Sequence, residues 1–520
     1  MALLKVAWGL LAQLLLKVVV VGGGWAGFGA AKHLAEQGYA VTLIEAAKNP
    51  GGLSGGFRTS SGKVVEAGMK GFWYSYSNIF ALLKPLLPSA SGPGGQLAAD
   101  RLDHLRFWSP RGLTTEAPVF SRLQRLPTLL GQFVHTAPLH WSLPLQDRLT
   151  MLPFLLSFVD YDASPEVYER YDKMSARELF RQWGVSERCY QEFLRPTLLV
   201  GLFAPPEEIS AASMLETLYF YALAHQNDFD VCWPRGSIAE TIFTPMVERI
   251  QAAGGQGAGS AASIGAVVTR DVATGSSTTH EADAVVFAIG ITGMQKLVQQ
   301  CRLLGDRQEF RKVMNLRSID VIATRLWFDK LVRTRYPANV LSGFETTAGA
   351  TFFNLNDLQD EYRYAPGSVI TADFYGANEL LPLSDDEVVA RVKSHLEVCE
   401  PGFKDANVVD SAVLRFPKAV THFSPGSYAS RPHQVTSIPN CFLAGDWVKG
   451  VSHGANGLSQ ERAYVTGLTA ANLVVDHCGQ GSKAVVLDVE PDEPHIAAAK
   501  QANQAVRGVL DSLGLKSPLL

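Results

Sequence analysis

An α/β fold of the Rossmann type is predicted by three features of the N-terminal segment. The apolar run Val18-Val19-Val20-Val21 leads directly into Gly22-x-Gly24-x-x-Gly27, and a second apolar run, Val41-Thr42-Leu43-Ile44, is closed by Glu45. With Phe28 to Gln37 as a helix ending at Gly38, the order is strand, turn, helix, turn, strand, which is a βαβ unit. Each glycine has a mechanical reason. Gly22 makes the tight turn, Gly24 lets a pyrophosphate approach the backbone, and Gly27 permits close packing of the helix. The helix N-terminus then offers free N–H groups and the positive end of its dipole. Glu45 stands about twenty residues on, where a carboxylate accepts both ribose hydroxyls and excludes a 2′-phosphate. The unit alone is compatible with NAD or FAD.

Farther along, Pro118 to Val159 is apolar and broken by prolines, with Leu126–Leu130 and Leu149–Val159 as short helical pieces, neither long enough to cross a bilayer. Ser175 and Glu178 form a capping box ahead of Leu179 and Phe180, and Ser175 to Ala222, interrupted by Pro196 and Pro205-Pro206, reads as a helical substrate domain. Gln251–Ser263 is rich in Gly, Ala and Ser and is expected to be a flexible insertion. Two strands follow, Ile264–Thr269 and Ala284–Ile289, the second ending at Ala288-Ile289-Gly290, where a cofactor can come close to the backbone. No repeat of fixed period is present.

Composition narrows the function. Of 520 residues, 47% are hydrophobic and 18% charged, with a net charge of -4. That balance gives no attraction for phosphate backbones, so nucleic acid is not expected as a partner. The six cysteines are far apart with no C-x-x-C pair, which argues against a metal site or a disulfide framework and fits a reducing compartment. Met1 to Leu16 is almost wholly apolar but runs into the first strand, so it is read as a short packed helix rather than a membrane span; the alternative is a sequence that begins late.

After Glu45 the chain reads Asn49-Pro50-Gly51-Gly52-Leu53-Ser54-Gly55-Gly56-Phe57-Arg58, then Glu66-Ala67-Gly68-Met69 and Phe72-Trp73-Tyr74; near the other end stand Leu443-Ala444-Gly445-Asp446 and Ser459-Gln460-Glu461-Arg462-Ala463. This pattern resembles the flavin amine oxidase superfamily and, within it, the plant and cyanobacterial phytoene and ζ-carotene desaturases. The likeness covers most of the chain from Val18 to about Val475. It implies a discontinuous Rossmann-like FAD-binding domain (residues 18–90, 231–300 and 416–478), an inserted α+β substrate domain (91–230, with the apolar helical region, and 301–415), and a C-terminal tail (479–520). It also implies FAD contacts at Gly22, Gly24, Gly27, Glu45, Gly51, Gly52, Gly68, Val267, Gly445, Asp446 and Gln460. Gly445 and Asp446 would lie against the pyrophosphate and ribityl chain, and a helix starting near Ser459 would point its N-terminus at the flavin pyrimidine. Two departures stand out. Leu53 follows the Gly-Gly where the family commonly has a basic residue, leaving Arg58 as the candidate phosphate contact, and Gln460-Glu461-Arg462 replaces the family's M-E-G after a longer Trp447–Leu458 loop, which should face the flavin.

The chemistry the resemblance implies is desaturation of a carotenoid or related polyene. Such a reaction needs an apolar tunnel and ring faces that favour a developing cation. Phe72, Trp73, Tyr74 and Tyr76 are candidate walls, with ordinary core packing as the plainer alternative. His453, Lys449 and Lys70 are candidates for orienting substrate or moving a proton. The Leu126–Val159 region is either packed helix or a patch dipping into one leaflet to collect a lipid-like substrate. Electrons would leave for a quinone or oxygen, and the expected location is the surface of a plastid or other organelle membrane, otherwise the cytoplasm. The rival readings are amine oxidation, redox-neutral carotenoid isomerisation and a non-catalytic flavin-binding pigment carrier.

Overall fold

The computed structural model describes residues 16–86, 105–139, 142–161, 164–253, 264–271, 274–451, 453 and 457–514. In chain order the elements used below are β1 (Lys17–Val21), α1 (Trp25–Glu36), β2 (Ala40–Ile44), α2 (Ser77–Leu86), β3 (Leu105–Ser109), β4 (Gly112–Ala117), α3 (Ala176–Gln182), β5 (Ala266–Arg270), β6 (Ser277–Glu281), β7 (Ala284–Phe287), β8 (Arg317–Phe328), β9 (Ala338–Leu341), β10 (Gly349–Asn354), β11 (Val369–Tyr375), α4 (Asp385–Cys399), β12 (Val408–His422), β13 (Cys441–Leu443), α5 (Gln460–Cys478) and α6 (Pro494–Ser512).

Strands from three distant parts of the chain make one four-stranded sheet in the order β13-β7-β1-β2. Every pairing is parallel, with Val19 opposite both Val285 and Thr42, and Val286 opposite Phe442. Val18, Val20, Ala284 and Val286 are fully buried, which is why these strands read as continuous apolar runs rather than alternating ones. Helices α1 and α5 pack together closely, with Ala30, Ala31, Leu34, Ala470, Ala471 and Val474 forming their shared core with the sheet. The discontinuous Rossmann-like domain is therefore real at the level of hydrogen bonds.

The second unit is a seven-stranded sheet in the order β12-β8-β11-β10-β9-β3-β4. It is antiparallel except where β9 runs parallel to β3. Helices between residues 154 and 215 pack on one face around Phe180, Tyr190 and Leu215, and α4 covers the other against Ile370 and Phe374. This is the inserted α+β arrangement.

Boundaries moved for local reasons. Helix α1 starts at Trp25 rather than Phe28, because Phe28 N already donates to Gly24 O. The strand expected to reach Ile289 stops at Phe287, after which Ala288 N donates back to Val21 O and the chain turns. The Ile264–Thr269 strand is β5, paired antiparallel with the unexpected β6. Leu149–Val159 is broken into short pieces, the end of the Leu145–Leu149 helix followed by Pro153–Leu155 and Leu156–Asp160, while the Leu126–Leu130 piece is irregular until a helix begins at Leu130. The capping box of α3 is present in full: Glu178 N donates to Ser175 Oγ at 3.1 Å, and Ser175 N donates to Glu178 Oε2 at 2.7 Å. The N-terminal helix expected before Leu16 and most of the Gln251–Ser263 insertion lie outside the described residues. Residues 479–514, within the expected C-terminal tail, are bonded to the rest of the fold at several points. Leu487 N donates to Asn78 Oδ1, Tyr219 OH donates to Asp492, and Asn503 donates to the fully buried Asp160. Among the described residues no helix is long and apolar enough to cross a membrane.

Candidate active site

Where the two units meet there is a cavity of about 640 Å³, lined by the ends of the parallel strands on one side and by the large sheet and its helices on the other. Its first wall is the turn between β1 and α1. A Cβ on Gly22, whose φ is +111°, would lie 2.3 Å from Ala288 O, and one on Gly27 would lie 1.7 Å from Gly22 O. No other residue type fits either position. Helix α1 has no side-chain cap and no acid in its first turn, so its free N–H groups face the cavity beside Gly24. Glu45 is held from two sides, its Oε2 accepting from Gly23 N and its Oε1 from Ala47 N, both at 2.7 Å, and it lines the same space.

The second wall is the Gly51-Gly52 turn, locked to the first by Gly51 N donating to Gly23 O at 2.6 Å. Trp25 Nε1 donates to Ser54 Oγ and to Gln460 Oε1, and Gln460 Nε2 donates to Gly71 O, each at 3.0–3.1 Å. One side chain of α5 thus ties the start of α1 and the Gly71 turn to a helix some four hundred residues farther along the chain. The third wall is Gly445-Asp446 after β13. Gly445 N donates to Thr466 Oγ1, and the half-buried Asp446 accepts from Thr421 Oγ1, both at 2.9 Å. Burial holds the Asp446 carboxyl above its usual range. Ser459 and Gln460 bring the N-terminus of α5 to the cavity.

This set suits a dinucleotide: a glycine cradle that any Cβ would fill, an uncapped helix N-terminus for phosphate, and a fixed carboxylate for ribose hydroxyls. Gly22, Gly24, Glu45, Gly51, Gly52, Gly445, Asp446 and Gln460 all line it, with Gly27 directly behind. Other expected positions fall elsewhere. Arg58 is exposed and engaged by Glu240 and Glu361, so it turns away from any phosphate. Gly68 sits behind the lining with its Cα against the Asp373 carboxyl, and Val267 lies in the separate β5–β6 ribbon. The Leu53 position supplies no replacement cation; the cradle works through backbone N–H groups.

The aromatic candidates divide. Trp73 and Tyr76 line the cavity, with the Trp73 ring 4.9 Å from Tyr221 and the hydroxyls of Tyr76 and Tyr221 3.3 Å apart. Phe72 is fully buried in the core beneath them, and Tyr74 is 44% exposed. His453 is buried away from the cavity, 3.4 Å from Glu461 Oε1, and Lys449 lines a separate polar hollow with His433 and Lys312. Among the described residues of the Trp447–Leu458 loop, Trp447 and Leu458 reach the cavity.

Sequence reasoning missed what Glu461, which the family pattern shares, and Arg462, which departs from it, do in the fold. The fully buried Glu461 accepts from Asn78 N, Asn78 Nδ2 and Ile79 N at 2.7–2.9 Å, capping the start of α2. Arg462 donates to the carbonyls of Asp446, Val448, Val451 and His453, gathering the loop before α5. Burial and nearby Arg431 pull its pKa down to about 10, so it remains cationic at neutral pH. Asp373 was also missed, since a single carboxylate in an apolar strand carries no motif; it lines the cavity beside Lys70.

The rest of the lining, including Leu198, Phe203, Val340 and Phe353, is apolar. Among the described residues no cluster fit to hold a metal ion is present. Comparison with known proteins gives the setting. The family model for flavin containing amine oxidoreductases matches residues 25–475. A probable zeta-carotene desaturase of Synechococcus elongatus is 26% identical over 503 residues, covering 89% of this chain and 99% of that protein. The 15-cis-phytoene desaturase of Solanum lycopersicum is 25% identical, covering 88% of this chain and 78% of that one. Among solved structures, cyclohexylamine oxidase of Brevibacterium oxydans superposes with a TM-score of 0.63 at 14% identity, covering 89% of this chain and 100% of that one. A UDP-galactopyranose mutase superposes with a TM-score of 0.60 at 13% identity, covering 94% and 98%. These two speak to the fold alone.

Proposed function

The chain belongs to the flavin-containing amine oxidoreductase family and is a flavin-dependent oxidoreductase; from that footing we propose that its cofactor is FAD and that it desaturates a carotenoid or related polyene. The observation that carries the reading is the continuity of one cavity from a dinucleotide cradle into a largely apolar chamber walled by Trp73, Tyr76 and Tyr221. When bound, FAD supplies the hydride acceptor. The protein's own contribution is to exclude water, hold one C–C bond of an extended chain in place, and present ring faces whose negative quadrupole favours the cationic carbon that develops. A diffuse cation of this kind needs little acid–base machinery, which agrees with His453 lying outside the cavity. The names and whole-length likeness of the carotene desaturase relatives support the same substrate class.

An apolar substrate of this size must be drawn from a membrane, and the surface supports a monotopic contact. Leu130, Val134, Leu145, Leu149, Leu152 and Leu156 are each 44–59% exposed within one stretch of chain, with Arg125 and Arg148 among them. A quinone or oxygen as electron acceptor and a plastid or other organelle membrane as the location belong to the same proposal. The test is anaerobic addition of phytoene, ζ-carotene or neurosporene in lipid vesicles to the flavin-loaded protein. Bleaching of the flavin with a product two hydrogens lighter is the expected result. A flavin bleached by amines and by none of these polyenes would replace desaturation by amine oxidation. An isomerised product of unchanged mass, formed only with pre-reduced flavin, would replace it by isomerisation.

A further inference from the structure

A hydrocarbon substrate leaves one part of this cavity without a purpose. Asp373, on β11, is 2% exposed and lines the cavity; its Oδ2 accepts from Met69 N at 3.2 Å, while its Oδ1 has no partner. Lys70 lines the cavity next to it and donates only to its neighbour Ala67 O. The two are close enough to influence each other's charge, yet no hydrogen bond or ion pair joins them. Burial pulls the Lys70 ammonium down and pushes the Asp373 carboxyl up to about 6, each opposed by the other's charge. Several neighbouring polar groups are matched to one another, although Arg325 Nε, whose charge also reaches Asp373, has no partner. Thr351 and Tyr375 bond to each other at 2.9 Å, and Glu66 pairs with Arg325 at 3.3 Å and accepts from Ile238 N.

A half-buried donor and a buried acceptor that face the same space without touching are left unsatisfied against a hydrocarbon wall, unless a third group bridges them. We infer that Lys70 and Asp373 form a subsite for a hydroxyl carried by an otherwise apolar, isoprenoid-like substrate. The choice of hydroxyl follows from the pair. A hydroxyl accepts from the ammonium and donates to Asp373 Oδ1 at the same time. A ketone satisfies only Lys70, an ammonium ion only Asp373, and a carboxylate is repelled by Asp373. A role for Asp373 purely as a proton acceptor would leave Lys70 unexplained. The glycine at 68 belongs to the same subsite: a Cβ there would lie 2.7 Å from Asp373 Oδ2, so a larger residue would push the carboxylate off the space it shares with Lys70.

The inference rests on the desaturase reading only for the apolar part of the ligand, and its test separates the two. Trp73 and Trp233 line the cavity, so ligand binding to the flavin-loaded protein is read by quenching of tryptophan fluorescence. The probes are geranylgeraniol, its methyl ether and the deoxy hydrocarbon of the same chain. Two hydrogen bonds to charged groups should make the alcohol bind at least about tenfold more tightly than the hydrocarbon, with the ether, which accepts but cannot donate, between them. Lys70→Met and Asp373→Asn should each reduce that preference to within about threefold, and the asparagine keeps an oxygen for Met69 N so that folding is preserved. Equal binding of alcohol and hydrocarbon by the unmodified protein would overturn the inference. So would a changed flavin absorption spectrum in ligand-free Lys70→Met, because the lysine would then serve the flavin. Polyene bleaching without alcohol preference leaves the desaturase reading and removes the subsite; alcohol preference without any polyene bleaching does the reverse.

Discussion

Gly27→Ala is the sharpest perturbation of the proposed flavin cradle. An alanine Cβ at this position would lie 1.7 Å from Gly22 O and 2.9 Å from Gly22 C, both backbone atoms that no rotamer can move aside. Bringing the first contact to 3.0 Å requires the turn and the start of α1 to part by about 1.3 Å, a larger shift than a packed core normally absorbs. Gly22 cannot retreat, since its own Cβ direction is closed by Ala288 O at 2.3 Å. Overpacking of this kind costs about 1–3 kcal/mol or more, and the strain falls where N–H groups must meet a pyrophosphate, so flavin affinity should drop at least tenfold. The assay is flavin content per protein after gel filtration, followed by fluorescence titration of the apoprotein with FAD. Gly508→Ala, in α6 where nothing lies within 4 Å of the new methyl, serves as the control and should retain its flavin. Unchanged FAD affinity in Gly27→Ala would refute the placement of the pyrophosphate at this turn.

Four further outcomes are expected. Glu461→Ala strands two buried backbone donors at the start of α2 and should lower the urea unfolding stability by roughly 2–6 kcal/mol, about 1–3 for each donor; a loss below about 1 kcal/mol would show that α2 is capped by other means. Ser175→Ala removes half of the capping box of α3 and should lower stability by about 1 kcal/mol while leaving flavin content unchanged. His225 is raised from 6.5 to about 9, first by its hydrogen bond to Asp228, and it also meets Pro491 O; its stabilisation of the 479–493 segment is therefore complete below pH 6.5 and lost as pH rises through about 9. Limited proteolysis of that segment should accelerate over the same window, and a rate flat across it in the unmodified protein would contradict the assignment. Leu145→Glu with Leu149→Glu should weaken co-sedimentation with lipid vesicles more than tenfold, because two exposed leucines worth about 1.5–3 kcal/mol each would no longer enter the bilayer.

How far the sequence carried the fold depended on whether the signal was local. The βαβ unit and the capping box at Ser175 each rest on contacts within a few residues, and each is where periodicity and capping chemistry put it, whereas the helix after Ser459 was implied by the family resemblance. The pairing of β7 with both β1 and β13 joins segments separated by hundreds of residues, and only the resemblance to a flavoprotein family pointed to it. The β5–β6 ribbon escaped because Ser277–Glu281 is polar and largely exposed, giving no apolar alternation to read. At the site the same division holds. Glycines were legible because their spacing reports backbone geometry, whereas direction of side chains was not. Four consecutive-looking aromatics, Phe72, Trp73, Tyr74 and Tyr76, go to core, cavity, solvent and cavity, because alternation in the short strand and the turn after it sends neighbours to opposite sides. Arg58 failed for a related reason: a basic residue close in sequence to a glycine turn found two carboxylates, Glu240 and Glu361, nearer than the cavity.

The Gln460-Glu461-Arg462 stretch shows why a departure from a family pattern need not remove its chemistry. Successive residues of a helix are turned by about 100°, so these three side chains reach three different neighbours: Trp25 and Gly71, the start of α2, and the carbonyls of the loop after β13. The backbone N–H groups of the same turn point along the axis whatever the side chains are, and it is the axis that brings Ser459 and Gln460 to the cavity. The side chains therefore determine how firmly the surrounding segments are gathered, and the backbone determines what a flavin would meet. On this reasoning a Glu461→Gln protein, which keeps one oxygen for the Asn78 donors but sets an amide NH2 against Ile79 N and loses the charge, should bind flavin with an unaltered absorption spectrum even as its thermal stability falls. The carrier reading drew its motive from these residues, and that motive weakens once Glu461 and Arg462 are seen to hold α2 and the loop rather than to have replaced a reacting group.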